Sequence, residues 1–448
     1  MKKIDKKTVK KIVLSVVIIL AIAVVAGLIA FKIYMNRTKK VTRTEAVTEV
    51  NFLYEIEICH TGATEVNTSS QWRGENRDGI YNETGLLKIW ATNGPELLWF
   101  AEELGDGYSS PAIANGKIYV AGLYRDDLVM SVFDLCGRLL IRRVVGKEWN
   151  SSYPGARSTV NVNDGKLYIF NSLGHLHCLD EKSLDLIWKK DVKKDFDGRD
   201  IRWGVTEAPL IICDKVIITP GGRRYNVVAL DKNTGELIWY SSGEGVHSTY
   251  CSPLYIGNYS IPIIVTNTET HIIALNADTG EKLWSHPQTN THNIHPNTPL
   301  YSNGMIFSTT GYGGGSLALR LKDDGQSVEH AWSNIADNQM GGAVKVGSHV
   351  YTSGHNNRGF YCIDWYTGEI KYRVNQISPS AIIAADGMLY VYSDKGEVAL
   401  VKPNPDRFEL VSSFNVTKGT NQHWAHPVIH DGVLYIRHGD ALMAYKVR

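Results

Sequence analysis

Five histidines are the residues of this 448-residue chain that could most readily do chemistry: His286, His292, His295, His423 and His426. Neutral imidazoles converging in a tetrahedral or octahedral array would hold a metal ion. However, "HNIHP" and "HWAHP" fall in different repeats and neither has a metal-ligand spacing, so loop capping is the expectation and no metal site is assigned. Asp106, Glu207 and Asp337 could act as acid–base groups, but no spacing pairs them and no catalytic residue is assigned. The run Gly313 to Gly315 lacks the Lys-Ser/Thr that follows a phosphate-cradling loop, and it reads as a hairpin tip.

A set of aromatic, cationic and imidazole side chains in loop-like segments remains. Tyr108, Arg157, Arg202, Trp203, His247, His292, His295, His423, Trp424 and His426 stand in segments such as "SSYPGARST", "IRWGVTEAP" and "NQHWAHP". Tyr153, Tyr250, Gln339 and Gln376 accompany them, and Arg223, Arg224, Tyr312 and Arg358 sit in neighbouring hairpins. Arg and large aromatics dominate recognition hot spots, so the chemistry indicated is binding. The blander alternative is that these side chains pack the loops against one another.

Such loops converge only if a repeat positions them. The unit is about 45 residues long and ends in an Asp-x-x-Thr-Gly-Glu turn followed by a Trp strand. "VVALDKNTGELIW" and "IIALNADTGEKLW" are the clearest copies; "LHCLDEKSLDLIW" and "FYCIDWYTGEIKY" are weaker ones. Strand starts fall at Pro111, Thr159, Pro209, Pro253, Pro299, Gly342, Ser380 and Pro427. Four short strands per unit of this length predict an all-β propeller with eight four-stranded blades, or seven if the degenerate units 342–372 and 380–412 merge. The last copy stops at Arg448 without its Trp strand, while "GPELLWFAEE" carries one with Trp99 ahead of the first copy. The N-terminal strand is therefore expected to complete the final blade and close the ring, which leaves no free edge.

The net charge of +1 averages two unlike parts. Residues 1–43 hold 11 bases and one acid; the remainder holds 36 bases and 45 acids, a net of −9. An acidic body argues against a nucleic-acid partner. Ile12 to Phe31 is an unbroken run whose only hydroxyl is Ser15, preceded by six lysines. About 20 apolar residues cross a hydrocarbon core of roughly 30 Å, so a single N-terminal transmembrane helix is expected. A cleavable signal is the rival reading; the run is long for one, and Lys32, Arg37, Lys39 and Lys40 follow without a small-x-small site. The division expected is 1–11 cytoplasmic basic tail, 12–31 anchor, 32–70 linker and 71–448 propeller, with the N-terminus cytoplasmic and the propeller exported. Cys178 and Cys362 occupy the slot of Ala229 and Ala274, which wants a small buried residue, so no structural disulfide is expected there.

These repeats, with the lead-in "QWRGENRDGIYNETGLLKIW" and the segment "GDGYSSPAIANGKIYVAG", resemble the quinoprotein-type propellers with pyrroloquinoline-quinone-like (PQQ-like) repeats. That superfamily includes quinoprotein alcohol dehydrogenases and the BamB lipoproteins of outer-membrane assembly. The resemblance covers residues 71–448 and specifies fold more than function. It implies for the dehydrogenases a pair of adjacent cysteines against the quinone, and Ca²⁺-ligand and catalytic Asp segments; the chain has no Cys-Cys and no match to those segments. PQQ and Ca²⁺ are therefore not expected as cofactors. The reading is a membrane-anchored, extracytoplasmic, non-enzymatic scaffold that binds an envelope protein or glycan, periplasmic in a Gram-negative cell. It lacks the lipid-anchor Cys of BamB. The alternative is a divergent quinoprotein oxidoreductase or a hydrolase using the axial face.

Overall fold

The computed structural model describes residues 69–339 and 342–448. The expected anchor, basic tail and nearly all of the linker lie outside the described residues. Among the described residues no helix is long and apolar enough to cross a membrane. The chain forms eight antiparallel sheets of four core strands each, an eight-bladed propeller. The units at 342–372 and 380–412 are separate blades, with inner strands Ala343–Val346 and Ser380–Ala385. Among the described residues one short helix, Val192–Phe196, interrupts the all-β pattern; Asp191 caps it, accepting from Lys193 N and Lys194 N.

Each blade runs from a short inner strand outward. Ala112–Ala114, Leu254–Ile256 and Val428–His430 are inner strands of three residues, and inner strands of successive blades touch around the axis. The middle strands are almost wholly buried and apolar, as sheets packed on both faces require. The loop before each inner strand and the hairpin between the second and third strands end on one face. The other face carries the Asp-x-x-Thr-Gly-Glu turns.

Those turns are Asx turns. Asp231 Oδ1 accepts from Asn233 N and Thr234 N, both at 2.8 Å, and Gly235 follows with φ +71°. The Trp after each turn reaches the next blade's turn: Trp188 Nε1 donates to Lys232 O, Trp239 to Ala277 O and Trp332 to Trp365 O. The ring lies on the turn glycine of that blade. A Cβ on Gly235 would come within 2.8 Å of Trp188, and one on Gly280 within 2.5 Å of Trp239. The repeated Gly therefore serves both positive φ and the stacking of a Trp between blades. Across the ladder from each Trp stands a small residue: Ala229 opposite Trp239, Ala274 opposite Trp284 and Cys178 opposite Trp188. Cys362 holds the same slot opposite Tyr372, and both cysteines are buried free thiols.

Closure follows the expected seam. Leu97–Ala101 pairs antiparallel with Ala441–Lys446 as the fourth strand of the last blade, with Trp99 opposite Ala444.

Candidate recognition face

The lead-in fills the axis. Ser69 O accepts from Ile113 N at 2.9 Å and Ser70 O from Val162 N at 2.9 Å, which ties the segment to the inner strands of the first two blades. Trp72 Nε1 then donates to Thr298 Oγ1 at 3.0 Å. Arg73 Nη2 donates to Asp78 O and Ala343 O, and Nη1 to Ile382 O. Arg77 donates to Ala208 O at 2.7 Å and Pro209 O at 3.2 Å. The segment leaves as Ile80–Tyr81, a parallel fifth strand on Ser380–Ala385. Arg437, in the last blade, is bonded to Gly105 O, Ser109 Oγ, Ala121 O and Gly439 O. Burial pulls all three guanidiniums down to about 10, so each is still cationic at neutral pH.

Little in the local pattern announces this segment. "WRGENRDG" lacks blade periodicity, and its signal is the density of turn formers: Arg73, Gly74, Arg77 and Gly79 all have positive φ. Arg437, a lone cation inside the apolar strand Val433–His438, is a second such signal.

The predicted site residues divide into two levels. His295 and His426 lie beneath the face. His426 is buried with Nδ1 3.1 Å from Arg73 Nη1, its ring 4.5 Å from that of Trp72. His295 is buried with Nε2 3.0 Å from Glu269 O, and burial pushes it down to about 4. Tyr108 is also buried; its hydroxyl donates to Gln422 Oε1 at 2.8 Å, and burial raises it to about 12.

The others reach solvent and fall into patches. Trp424 lies tilted between Tyr108 at 5.2 Å and Tyr153 at 5.0 Å, across the seam of the last and first blades. Arg157 lies over Trp149 at 5.5 Å and donates to Ser152 O and Tyr153 O, which fixes the projecting loop. Arg202 lies over Trp203 at 4.9 Å, and Trp203 faces Tyr250 at 6.2 Å. In the hairpin alongside, Arg224 lies about 5 Å from the rings of both Tyr225 and Tyr240. His247 stands between Arg199 Nη1 and Glu269 Oε1, the latter at 3.5 Å. His292 meets Tyr312 edge-on at 4.5 Å, and His423 bonds to Tyr392. These solvent-reaching histidines and cations are thus spread over several blades and do not form one cluster.

Among the described residues, Arg157, Arg202, Arg223, Arg224 and Arg358 have no carboxylate within ion-pair distance, although the body is acidic. Stacked on Trp203, the exposed Arg202 guanidinium can offer its N–H edge to a bidentate acceptor, whereas Arg157 gives Nη2 to Ser152 O and Tyr153 O and Arg224 gives Nη2 to the Tyr240 hydroxyl. The carboxylates below are spent on backbone. Asp337 accepts from Gly313 N, His355 N, Asn356 N and Asn357 N. Both oxygens of Glu207 accept from Thr219 N, and burial raises Glu207 to about 8. Glu148 accepts from Trp149 N and Ser172 N, and burial raises it to about 7. No nucleophile–base pair lies among them. Among the described residues no group of three His, Cys, Asp or Glu is placed to hold a metal.

A family model described as outer membrane protein assembly factor BamB matches residues 137–246 and 172–407. An outer membrane protein assembly factor BamB from Shewanella oneidensis is 23% identical over 265 residues, which span 54% of this chain and 63% of that protein. The crystal structure of BamB from Moraxella catarrhalis superposes with a TM-score of 0.59 at 15% identity, covering 79% of this chain and 99% of that one. Quinohemoprotein alcohol dehydrogenase from Comamonas testosteroni superposes at 0.61 with 13% identity, covering 86% and 81%. Likeness at these identities carries the fold.

Proposed function

The chain belongs to the repeat family described as outer membrane protein assembly factor BamB, and from that premise we propose that it is a non-enzymatic scaffold of the cell envelope. Its N-terminal run Ile12 to Phe31 tethers it to a membrane, its propeller is exported, and its loop-rich face docks a protein of envelope or outer-membrane protein assembly.

One observation carries the docking half: Arg202, exposed and stacked on Trp203, presents a guanidinium edge that no carboxylate among the described residues occupies. Arg157 over Trp149 and Arg224 between two tyrosines extend that surface. Arginine and tryptophan so placed are the usual anchors of protein interfaces.

The non-enzymatic half draws on the axis. The reading without quinone or calcium is supported by Trp72, Arg73 and Arg77 bonding across the inner strands, and by Glu207 and Asp337 accepting from backbone amides. The described cysteines are Cys136, Cys178, Cys213, Cys251 and Cys362, no two of them adjacent.

A photocrosslinker at the neighbouring exposed position 200 of the full chain in its native membrane tests the proposal. The expected product is a crosslink to an envelope-assembly protein that is lost in a Trp203→Ala, Trp424→Ala double variant. Undiminished crosslinking in that variant would remove the face from consideration.

A further inference from the structure

The outer strand of each blade leaves its turn through a β-bulge, which places two residues on the rim of the turn face just before the Trp position. In five consecutive blades, the seventh, eighth, first, second and third, both residues are aliphatic. The pairs are Leu410–Val411, Leu97–Leu98, Leu139–Leu140, Leu186–Ile187 and Leu237–Ile238. The corresponding pairs of the fourth, fifth and sixth blades are Lys282–Leu283, His330–Ala331 and Ile370–Lys371. Those three blades form with a charged or imidazole side chain at the rim, so the fold does not require the aliphatic pairs. Leu186 is 55% exposed and Leu410 48%, and both members of the second, third and eighth pairs reach solvent. Single exposed apolar residues are ordinary, whereas a consecutive set along one side of a ring marks a contact surface.

The lead-in adds to the same rim. Leu87 N donates to Val447 O and Trp90 N to Ser412 Oγ, so the segment crosses from the eighth blade to the seventh. Trp90 is buried against Tyr390 and Phe414, and Ile89 beside it is left 68% exposed. Charges near the arc are paired: Asp185 with Arg143, Asp386 with Lys88, and Glu409 with Lys402 and Arg407. The chain also enters the axis from this side. Inner strands run from the recognition face to the turn face. Ser69 is bonded at the middle of Ala112–Ala114, and Trp72 already reaches Thr298, two residues ahead of Leu300–Ser302. From Ser69 onward the segment therefore climbs toward the recognition face. It comes back with Tyr81 opposite Ala385, the last residue of Ser380–Ala385, and Ser69 lines one small opening together with Asn82 and Glu83. The connection to the apolar run Ile12 to Phe31 thus leaves the propeller on the turn face.

We propose that this arc is a lipid-contact surface: the propeller rests on a bilayer with the aliphatic rim of the seventh, eighth, first, second and third blades among the headgroups. The side chains leave water at the boundary between headgroups and acyl chains, as the apolar face of an interfacial protein does. The fourth, fifth and sixth blades, with Lys282, His330 and Lys371 at the rim, tilt away from it. A bilayer suits the arc better than a folded partner because the rim is convex and runs around five of eight blades. A fluid sheet meets all of it at once, whereas a globular protein would cover one or two blades. The recognition face, at the opposite ends of the inner strands, is then directed away from the lipid. Its bearing on docking rests on the tether and function proposed above; the lipid contact rests on the arc.

The full chain reconstituted in phosphatidylcholine vesicles tests the contact, with a diazirine amino acid placed singly at Leu98, Ile187 or Ile238, and for comparison at Lys282, His330 or Lys371. All six positions are on the rim, and a tether alone brings them equally near the membrane. Lipid adducts, read by mass, are expected at the first three at least about tenfold above the second three. Equal yields around the ring would overturn the proposal. So would a chain that floats with the vesicles and gives no lipid adduct at the arc, or arc adducts to a second copy of the chain or to another protein. Flotation after an alkaline carbonate wash reads the tether separately. Arc adducts in a chain that the wash strips from the vesicles would sink the tether and keep the lipid contact; a chain that never floats would sink both.

Discussion

The indole of Trp99 donates to the carbonyl oxygen of Leu135 at 2.9 Å, spanning the seam where the ring closes. It is the same bond that Trp239 makes to Ala277 within the ring. The closing blade is therefore stapled to its neighbour by the contact that joins the others. Trp99→Ala should destabilise the propeller by about 2 kcal/mol, less than truncating a fully buried aromatic, because Trp99 is only partly buried against the core. Chemical denaturation checks this, and a loss below about 1 kcal/mol would mean that the backbone ladder alone holds the seam.

The glycine under that ring should be as intolerant as the ring itself. A Cβ on Gly137 would stand 2.5 Å from the Trp99 indole, and φ there is +82°. Gly137→Ala is expected to cost more than about 1 kcal/mol, in contrast to the small gain typical of Gly→Ala at an ordinary φ. Gly116, which has nothing near its Cβ position at φ +70°, isolates the backbone part: Gly116→Ala should cost less than Gly137→Ala.

Arg73 and Arg77 satisfy carbonyls of the third, sixth and seventh blades from a segment outside the repeat. Replacing either by Met keeps length and apolar bulk but leaves buried carbonyl oxygens without donors. Each change should cost about 3 kcal/mol. Hydrogen exchange at Ala384, whose amide donates to Gly79 O, should accelerate in the same variants.

Glu207 gives the stability curve a definite slope. Burial raises its carboxyl from 4.5 to about 8 in the folded chain, so between those values the folded state holds a proton that the unfolded state has released. Stability from this group is complete below pH 4.5 and falls as pH rises toward 8. His295 slopes the other way: lowered from 6.5 to about 4, it favours folding above pH 6.5 and less as pH falls. Glu207→Gln should flatten the loss on the alkaline side and leave the acid limb in place, as read from unfolding midpoints across pH 4 to 9.

On the recognition face, Arg202→Glu should weaken association with the partner at least tenfold, about 1.4 kcal/mol, without moving the unfolding midpoint. The side chain is exposed, and its described contact is its own neighbour Trp203. A fall in stability would reveal a packing role instead.

Blade number, seam and inner strand starts were legible because each is written several times in the chain. A Trp facing a small residue and lying on a Thr-Gly turn recurs often enough to be averaged by eye, and the incomplete last copy exposed the seam. The axial segment occurs once, and its partners in the blades lie from 44 residues away, Ser69 to Ile113, to more than 300. Its role depends on long-range carbonyls that no local pattern encodes. The face was partly legible: Arg202, Trp203 and Trp424 reach solvent, while His295 and His426 serve the interior. Sequence position put all of them on loops before inner strands. Depth along the axis separates them, and a one-dimensional pattern does not carry depth.

The order of the N-terminal segments has a mechanical consequence. Ser69 to Tyr81 is bonded across the axis before the chain reaches the closing strand Leu97–Ala101. A pull arriving from the N-terminal side therefore loads the hairpin first and is shared among blades around the whole ring. The closing strand, which a direct tug would peel away one hydrogen bond at a time, stays in the shadow of that load.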